Sequence, residues 1–177
     1  MVSLSFVFWL ILFIAGVVGG MRGWAKELLV IFSVILSLFI IGVMETYIGF
    51  FQAFLINGGL ITQFWTRILI ILVLAFFGYE TPHLKQFRGG ARKEKVQDAI
   101  LGILLGALNG YLIWGSIWWY LHQAGYPYAF ALPPVAGTPL GESAFRLINM
   151  LPPKWLGIPG IYFAVAIAFT FIVIVFV

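Results

Sequence analysis

The sequence predicts an all-α fold: a polytopic transmembrane helical protein of about five spans, forming one membrane domain over 1–177, with one interfacial amphipathic helix in its outer loop. Three observations predict it. Apolar residues make up 63% of the 177 and charged residues only 9%, against roughly 45–50% and about 25% in an ordinary soluble domain. A small soluble globule needs charge across most of its surface, so a mean hydropathy of +1.08 describes a chain whose solvent is lipid. Finally, the few charges bracket long runs that are continuously apolar rather than alternating, which favours helices of about 20 residues and excludes an outer-membrane barrel. The chain has no cysteine, which removes disulfides, thiolate chemistry and zinc ribbons from consideration.

Helix 1 is expected over 2–20, in a charge-free run at the start of the chain. It lacks a basic n-region and exceeds the usual length of a signal-peptide core, so it reads as a retained span. Helix 2 is expected over 27–46. A turn of about six residues between them makes an antiparallel hairpin, in which Arg22 and Lys26 meet the headgroups, Gly23 lets the chain turn and Glu27 sits at the positive end of helix 2; the alternative use of Arg22 is an ion pair with Glu27 or Asp98 that fixes helix 4 against the hairpin. Helix 3 is expected over 60–79, preceded by a short aromatic stretch, interfacial or partly re-entrant, and by the turn Asn57-Gly58-Gly59. Thr62, Gln63, Thr66 and Arg67 share one of its faces. Arg67 lies about 10 Å inside, and Glu45 is its natural partner for an intramembrane ion pair, although a long side chain at that depth can also reach the interface.

The loop 80–98 carries five cations and three acids, which suits a topology determinant better than a dense cluster for anionic lipid. Helix 4 is expected over 99–120 with Asp98 as its N-cap. It holds Gly102, Gly106 and Gly110, a glycine at every fourth position, which clears one face for close approach of another backbone. Helix 1 offers matching spacings, Gly16 and Gly20 on one register and Ala15, Gly19 and Gly23 on another, so the two helices suit each other; a dimer seam is the other use of such a face. Asn109 and Ser116 continue the face of Gly102 as a polar stripe suited to interhelical hydrogen bonds. The outer loop 123–160 contains seven of the eight prolines. Within it Thr138-Pro139 starts an amphipathic helix and Pro152-Pro153 stops it. Leu140, Ala144, Leu147, Ile148 and Leu151 form its apolar face. Helix 5 is expected over 156–177.

Seven of the ten cations fall in the turn after helix 1 and in the loop 80–98, which places those segments in the cytoplasm, the N-terminus outside and the C-terminus inside. The net charge of +4 is thus topological, and no nucleic-acid partner is expected. His122 follows Trp114, Trp118, Trp119 and Tyr120. It reads as part of an interfacial aromatic belt, with ligation of a haem or pigment as the alternative. One aspartate, two distant histidines and none of the common catalytic motifs argue against an enzyme, and no metal site is expected.

Two stretches resemble one family. Gly19-Gly20-Met21-Arg22-Gly23-Trp24-Ala25-Lys26-Glu27 is similar to the G-x-x-R-G-x-x-(R/K)-E junction of the colicin V production (CvpA-like) family. The run from Asp98 through Gly102 and Gly106 to Gly110 resembles that family's D-R-x-L-G-x-x-x-G-x-x-R-G opening of helix 4. Ala99 and Asn109 stand where the family often has arginine, and helix 5 extends a pattern usually of four helices. The resemblance implies that Gly19, Arg22, Gly23, Lys26, Glu27 and Asp98 are motif residues. It further implies a bacterial inner-membrane protein without an assigned reaction, tied to toxin production or export and to envelope homeostasis. Its partners would be the bilayer and other membrane proteins or itself, with no cofactor. The alternative expectation is an accessory subunit of a bioenergetic or photosynthetic complex, holding lipid, quinone or pigment.

Overall fold

A computed structural model describes residues 3–80, 92–129 and 131–176. Among them run α1 (Leu4–Arg22), α2 (Trp24–Tyr47), α3 (Gly49–Tyr79), α4 (Arg92–Gln123), α5 (Pro139–Asn149), α6 (Pro152–Trp155) and α7 (Gly160–Phe176), with no strand. The first four are long and apolar enough to cross a membrane. The 17-residue α7 lies at the short limit for a span. The chain is therefore an all-helical multispan membrane protein.

Packing inside a membrane lacks the solvent-driven gain of a soluble core, so close backbone approach and buried polar contacts carry the specificity. Close approach is visible where α1 runs antiparallel to α4, the most extensive helix pair in the fold. A methyl group added at Gly19 would strike the Gly102 carbonyl and lie 2.7 Å from Gly106 Cα. One at Gly106 would meet the Ala15 carbonyl and lie 2.8 Å from Gly19 Cα. At Gly110 it would lie 2.8 Å from Ala15 Cβ. The register with the tightest backbone-on-backbone contact is thus Ala15 and Gly19, while a methyl at Gly16 would have more room, 3.3 Å from the Ile103 carbonyl and 3.6 Å from Ala107 Cβ, and one at Gly20 would meet the Ile103 side chain. Farther along, Phe8 of α1 packs on Tyr111 and Trp118 of α4.

The junction after α1 is tighter than a six-residue turn. Gly23 alone separates α1 from α2, with φ 88°, a conformation that glycine adopts without steric cost. The two helices make little contact with each other, and each packs on α4 instead. α2 is the hub: Val30, Val34, Leu38 and Ile41 are buried, and α2 packs on α3, α4 and α7. It lies close to α3 at Gly78, where an added methyl would sit 3.1 Å from Val30 Cα.

Other boundaries move for identifiable reasons. α4 begins at Arg92 rather than 99, because the charged run 92–98 contains neither glycine nor proline and extends the helix out of the apolar zone. The remainder of the expected cytoplasmic loop, with His83, Lys85 and Arg88, lies outside the described residues. α3 is broken at Gly59, with φ 72° and ψ −177°, so the aromatic stretch before it is a helical arm set apart from 60–79. Pro152-Pro153 starts the short α6 instead of only ending α5, since proline is favoured at first helical positions. α5 forms with the expected cap, the Thr138 hydroxyl accepting from Gly141 N at 3.0 Å. Its Ala144 and Ile148, with Leu151 beyond it, are buried against the bundle, while Leu140 remains exposed.

Candidate functional sites at the two ends of the bundle

The first site gathers the ends of α1, α2 and α3 with the first apolar turns of α4. Glu27, in the first turn of α2, is 1% exposed, and Asn109 of α4 is fully buried. Arg22 Nη1 donates to Glu27 Oε1 at 2.7 Å. Asn109 Nδ2 donates to Glu27 Oε2 at 2.7 Å and to the Glu27 carbonyl at 2.9 Å. The carboxylate thus holds a charged donor on one oxygen and a neutral donor on the other, the arrangement that makes burial of a charge tolerable. Arg22 also donates to the Tyr79 carbonyl at 3.1 Å, and its guanidinium lies 4.3 Å from the Tyr79 ring centre. α1, α2, α3 and α4 are therefore joined through one arginine–glutamate–asparagine cluster.

Asp98 belongs to this site in an unexpected role. Because α4 already starts at Arg92, Asp98 is not its N-cap; it reaches across and accepts from the Trp24 backbone N–H at 2.9 Å. It caps α2, whose own N-cap residue, Gly23, has no side chain to do so. Arg22 takes Glu27 as its ion-pair partner. Lys26 has no ion pair among the described residues. Ser116, expected to bond between helices, donates to Leu112 O of its own helix.

The second site lies at the opposite end, where α5 and α6 sit. Arg67 Nε donates to Glu45 Oε1 at 2.7 Å and Nη2 to Glu45 Oε2 at 3.3 Å, a two-pronged pair that fixes the guanidinium plane. Nη1 donates to Gln123 Oε1 at 3.1 Å, and the guanidinium lies 5.0 Å from the Tyr120 ring centre. The arm before Gly59 supports Glu45's neighbourhood, because Gln52 Nε2 donates to the carbonyls of Glu45 and Thr46. Beside the pair opens a cavity of about 310 Å³ between α2, α4, α6 and the entry to α7. Lys154 projects over the Trp119 ring, 5.5 Å from its centre.

His122 stands in an aromatic nest, with Trp119, Tyr126 and Phe145 rings 5.7–6.4 Å away. Its Nδ1 is buried without a hydrogen-bond partner among the described residues. Burial pushes the Tyr126 hydroxyl above the usual tyrosine range, partly offset by the Trp118 indole N–H. No group of three metal-ligating side chains occurs among the described residues.

The ion pairs and the glycine face were visible in the sequence. Gln123, Tyr120, Tyr79 and Lys154 were missed as site members, since each reaches its site from a distant segment and carries no local pattern. Compared with protein-family models, with curated proteins and with solved structures, the chain matches none.

Proposed function

We propose that this chain is a non-enzymatic membrane assembly protein of colicin V production type, serving toxin production or export, or envelope homeostasis, in a bacterial inner membrane by associating with itself or with other membrane proteins. One observation supports the reading above others. The two stretches that carry the family resemblance, far apart in sequence, meet: Glu27 of the junction bonds Asn109 of α4, and Asp98 caps the helix that the junction starts. A packed core of this kind makes a stiff platform. It leaves broad apolar faces on α1, α3 and α7, such as Phe13, Trp65, Leu69 and Ile167, for lipid or partner helices.

The proposed orientation puts the Arg22 end in the cytoplasm, supported by the distribution of basic residues. Single cysteines replacing Lys26 and Glu142 in this cysteine-free chain test it: an impermeant maleimide added outside should label only the second. The role itself is tested by purification in mild detergent with mass analysis of associated chains, alongside complementation of a colicin V production mutant. A homo-oligomer or a specific membrane partner, with toxin release restored, is expected. A lone monomer that restores nothing overturns the reading.

The cavity beside Glu45 and Arg67 favours a second reading, an accessory subunit of a bioenergetic or photosynthetic complex holding lipid, quinone or pigment. Co-purification of the subunits of such a complex with an absorbing cofactor would distinguish it.

A further inference from the structure

Depth in the bilayer can be read along the spans. The 19 residues of α1, roughly 28 Å, match the thickness of the hydrocarbon layer. Its N-cap, Ser3, and the last residue of α4, Gln123, stand at the same end of the bundle. Pro152 of α6 lies against Gly115, where an added methyl would sit 2.8 Å from its Cδ. Gly115 is eight residues from Gln123, roughly 12 Å along the axis. Phe8 gives a second measure, because it packs on both Tyr111 and Trp118, on either side of Gly115, and lies five residues, roughly 8 Å, from Ser3. The turn between α5 and α6 is therefore about 8–12 Å inside the end of the bundle, within the roughly 15 Å of hydrocarbon that belongs to one leaflet. Phe145 of α5 meets His122, one residue from the end of α4, so α5 descends from the rim to that turn.

The chemistry of the turn suits this depth. Hydrocarbon offers no water, so backbone groups there must bond within the protein. Met150, Leu151, Lys154 and Leu156 donate their N–H groups to carbonyls three or four residues back, and Pro152 and Pro153 have none to place. The Tyr111 hydroxyl donates to the Met150 carbonyl and accepts from the Trp155 indole N–H. Outward from these satisfied groups stand Met150 and Trp155, 66% and 56% exposed, and Ile158, 41% exposed. Ile158 keeps the same depth, beside Gly42 of α2, five residues before that helix ends at Tyr47. Asn149 is exposed next to them, an uncharged amide whose transfer costs less than three large apolar side chains regain. Lys154 is the charge in α6. Its ammonium over Trp119, one turn nearer the rim than Gly115, follows the path by which long cationic side chains reach the headgroups.

We propose that residues 145–158 form a re-entrant segment, which enters the leaflet at this end, turns at Pro152-Pro153 and presents Met150, Trp155 and Ile158 to its acyl chains. A helix lying along the surface would turn its apolar face to lipid, whereas α5 turns Ala144 and Ile148 to the bundle. The placement rests on the spans and not on the assembly role.

Nitroxide labels on Met150→Cys, Ile158→Cys and Glu142→Cys, each in this cysteine-free chain and in palmitoyloleoylphosphatidylcholine vesicles, test it. Labels at 150 and 158 should collide more often with oxygen, which dissolves in lipid, than with a water-soluble nickel chelate, at a depth of roughly 8–12 Å. At 142, in the first turn of α5, the order should reverse. A preference for the nickel chelate at 150 or 158, or shielding of both labels from both reagents as a covering protein chain would give, overturns the proposal. Where a labelled variant does not fold, unlabelled protein answers instead: chain-brominated phosphatidylcholine should quench a larger share of the fluorescence of the parent than of Trp155→Phe, and equal shares overturn the proposal.

Discussion

Arg22 and Glu27 decide whether the junction end of the bundle can exist. Glu27 is almost fully buried and Arg22 about one-fifth exposed, so truncating the arginine strands a carboxylate in a medium that solvates it poorly. Arg22→Ala should destabilise the protein by about 3–5 kcal/mol, the cost of leaving one member of a buried pair alone. Thermal unfolding in detergent and steady-state abundance in native membranes measure this, and unchanged values would contradict the pairing. Glu27→Gln should be milder, because the cation it leaves without a counter-ion, Arg22, is one-fifth exposed and keeps the Tyr79 carbonyl and ring, and the amide oxygen can still accept. At the other end, Glu45→Arg and Arg67→Glu should each lower stability, and the double exchange should recover much of the loss; additive damage would show that the pair is not the interaction lost. Both pairs could be anticipated, since opposite charges near the same membrane face have few alternatives in a chain with 16 charged residues of Asp, Glu, Lys and Arg. The place of Asp98 could not. An aspartate before an apolar run looks the same whether it caps its own helix or a neighbour's, and only the seven extra residues of α4 exclude the first role.

At the scale of the elements, the spans were legible because lipid tolerates so few charges, and their ends were not, because charge ends an apolar run without ending a helix. That difference explains the early start of α4. The break at Gly59 separates two helical arms that the sequence alone presents as a turn between unlike segments. Glycine spacing announced that α1 and α4 suit each other, yet two registers were available on α1. Shape decides between them: Gly19, Gly102 and Gly106 are positions where any side chain strikes backbone, which cannot swing aside. Gly106→Leu should therefore undock α1 from α4 or cost about 3 kcal/mol, the upper end for overpacking a core. Gly20→Ala should cost less, because it meets the flexible Ile103 side chain. Unfolding midpoints of the two variants side by side check the order, and a reversed order would exclude this register.

For the whole molecule, one arrangement accounts for most of what the sequence displays. α4 runs through the bundle with α1 on its glycine face and α2 on another, Gly23 turns the chain between them, and the polar cluster closes one end. α5 and α6 cover the other end, where Tyr111 of α4 takes the Trp155 indole N–H at 3.0 Å and donates to the Met150 carbonyl. The same glycine face could have served a seam between two copies, and the choice between those uses is the central claim. It is open to a direct measurement, because the chain has no cysteine. A Cβ built on Gly16 lies 3.6 Å from Ala107 Cβ, within the usual disulfide range of about 3.5–4.5 Å, and 3.3 Å from the Ile103 carbonyl, which needs to yield only slightly. In membranes, Gly16→Cys combined with Ala107→Cys should oxidise to a bond within one chain, seen as a monomer whose cross-linked peptides are recovered by mass spectrometry. A bond formed only between chains, including between co-expressed single-cysteine variants, would contradict it.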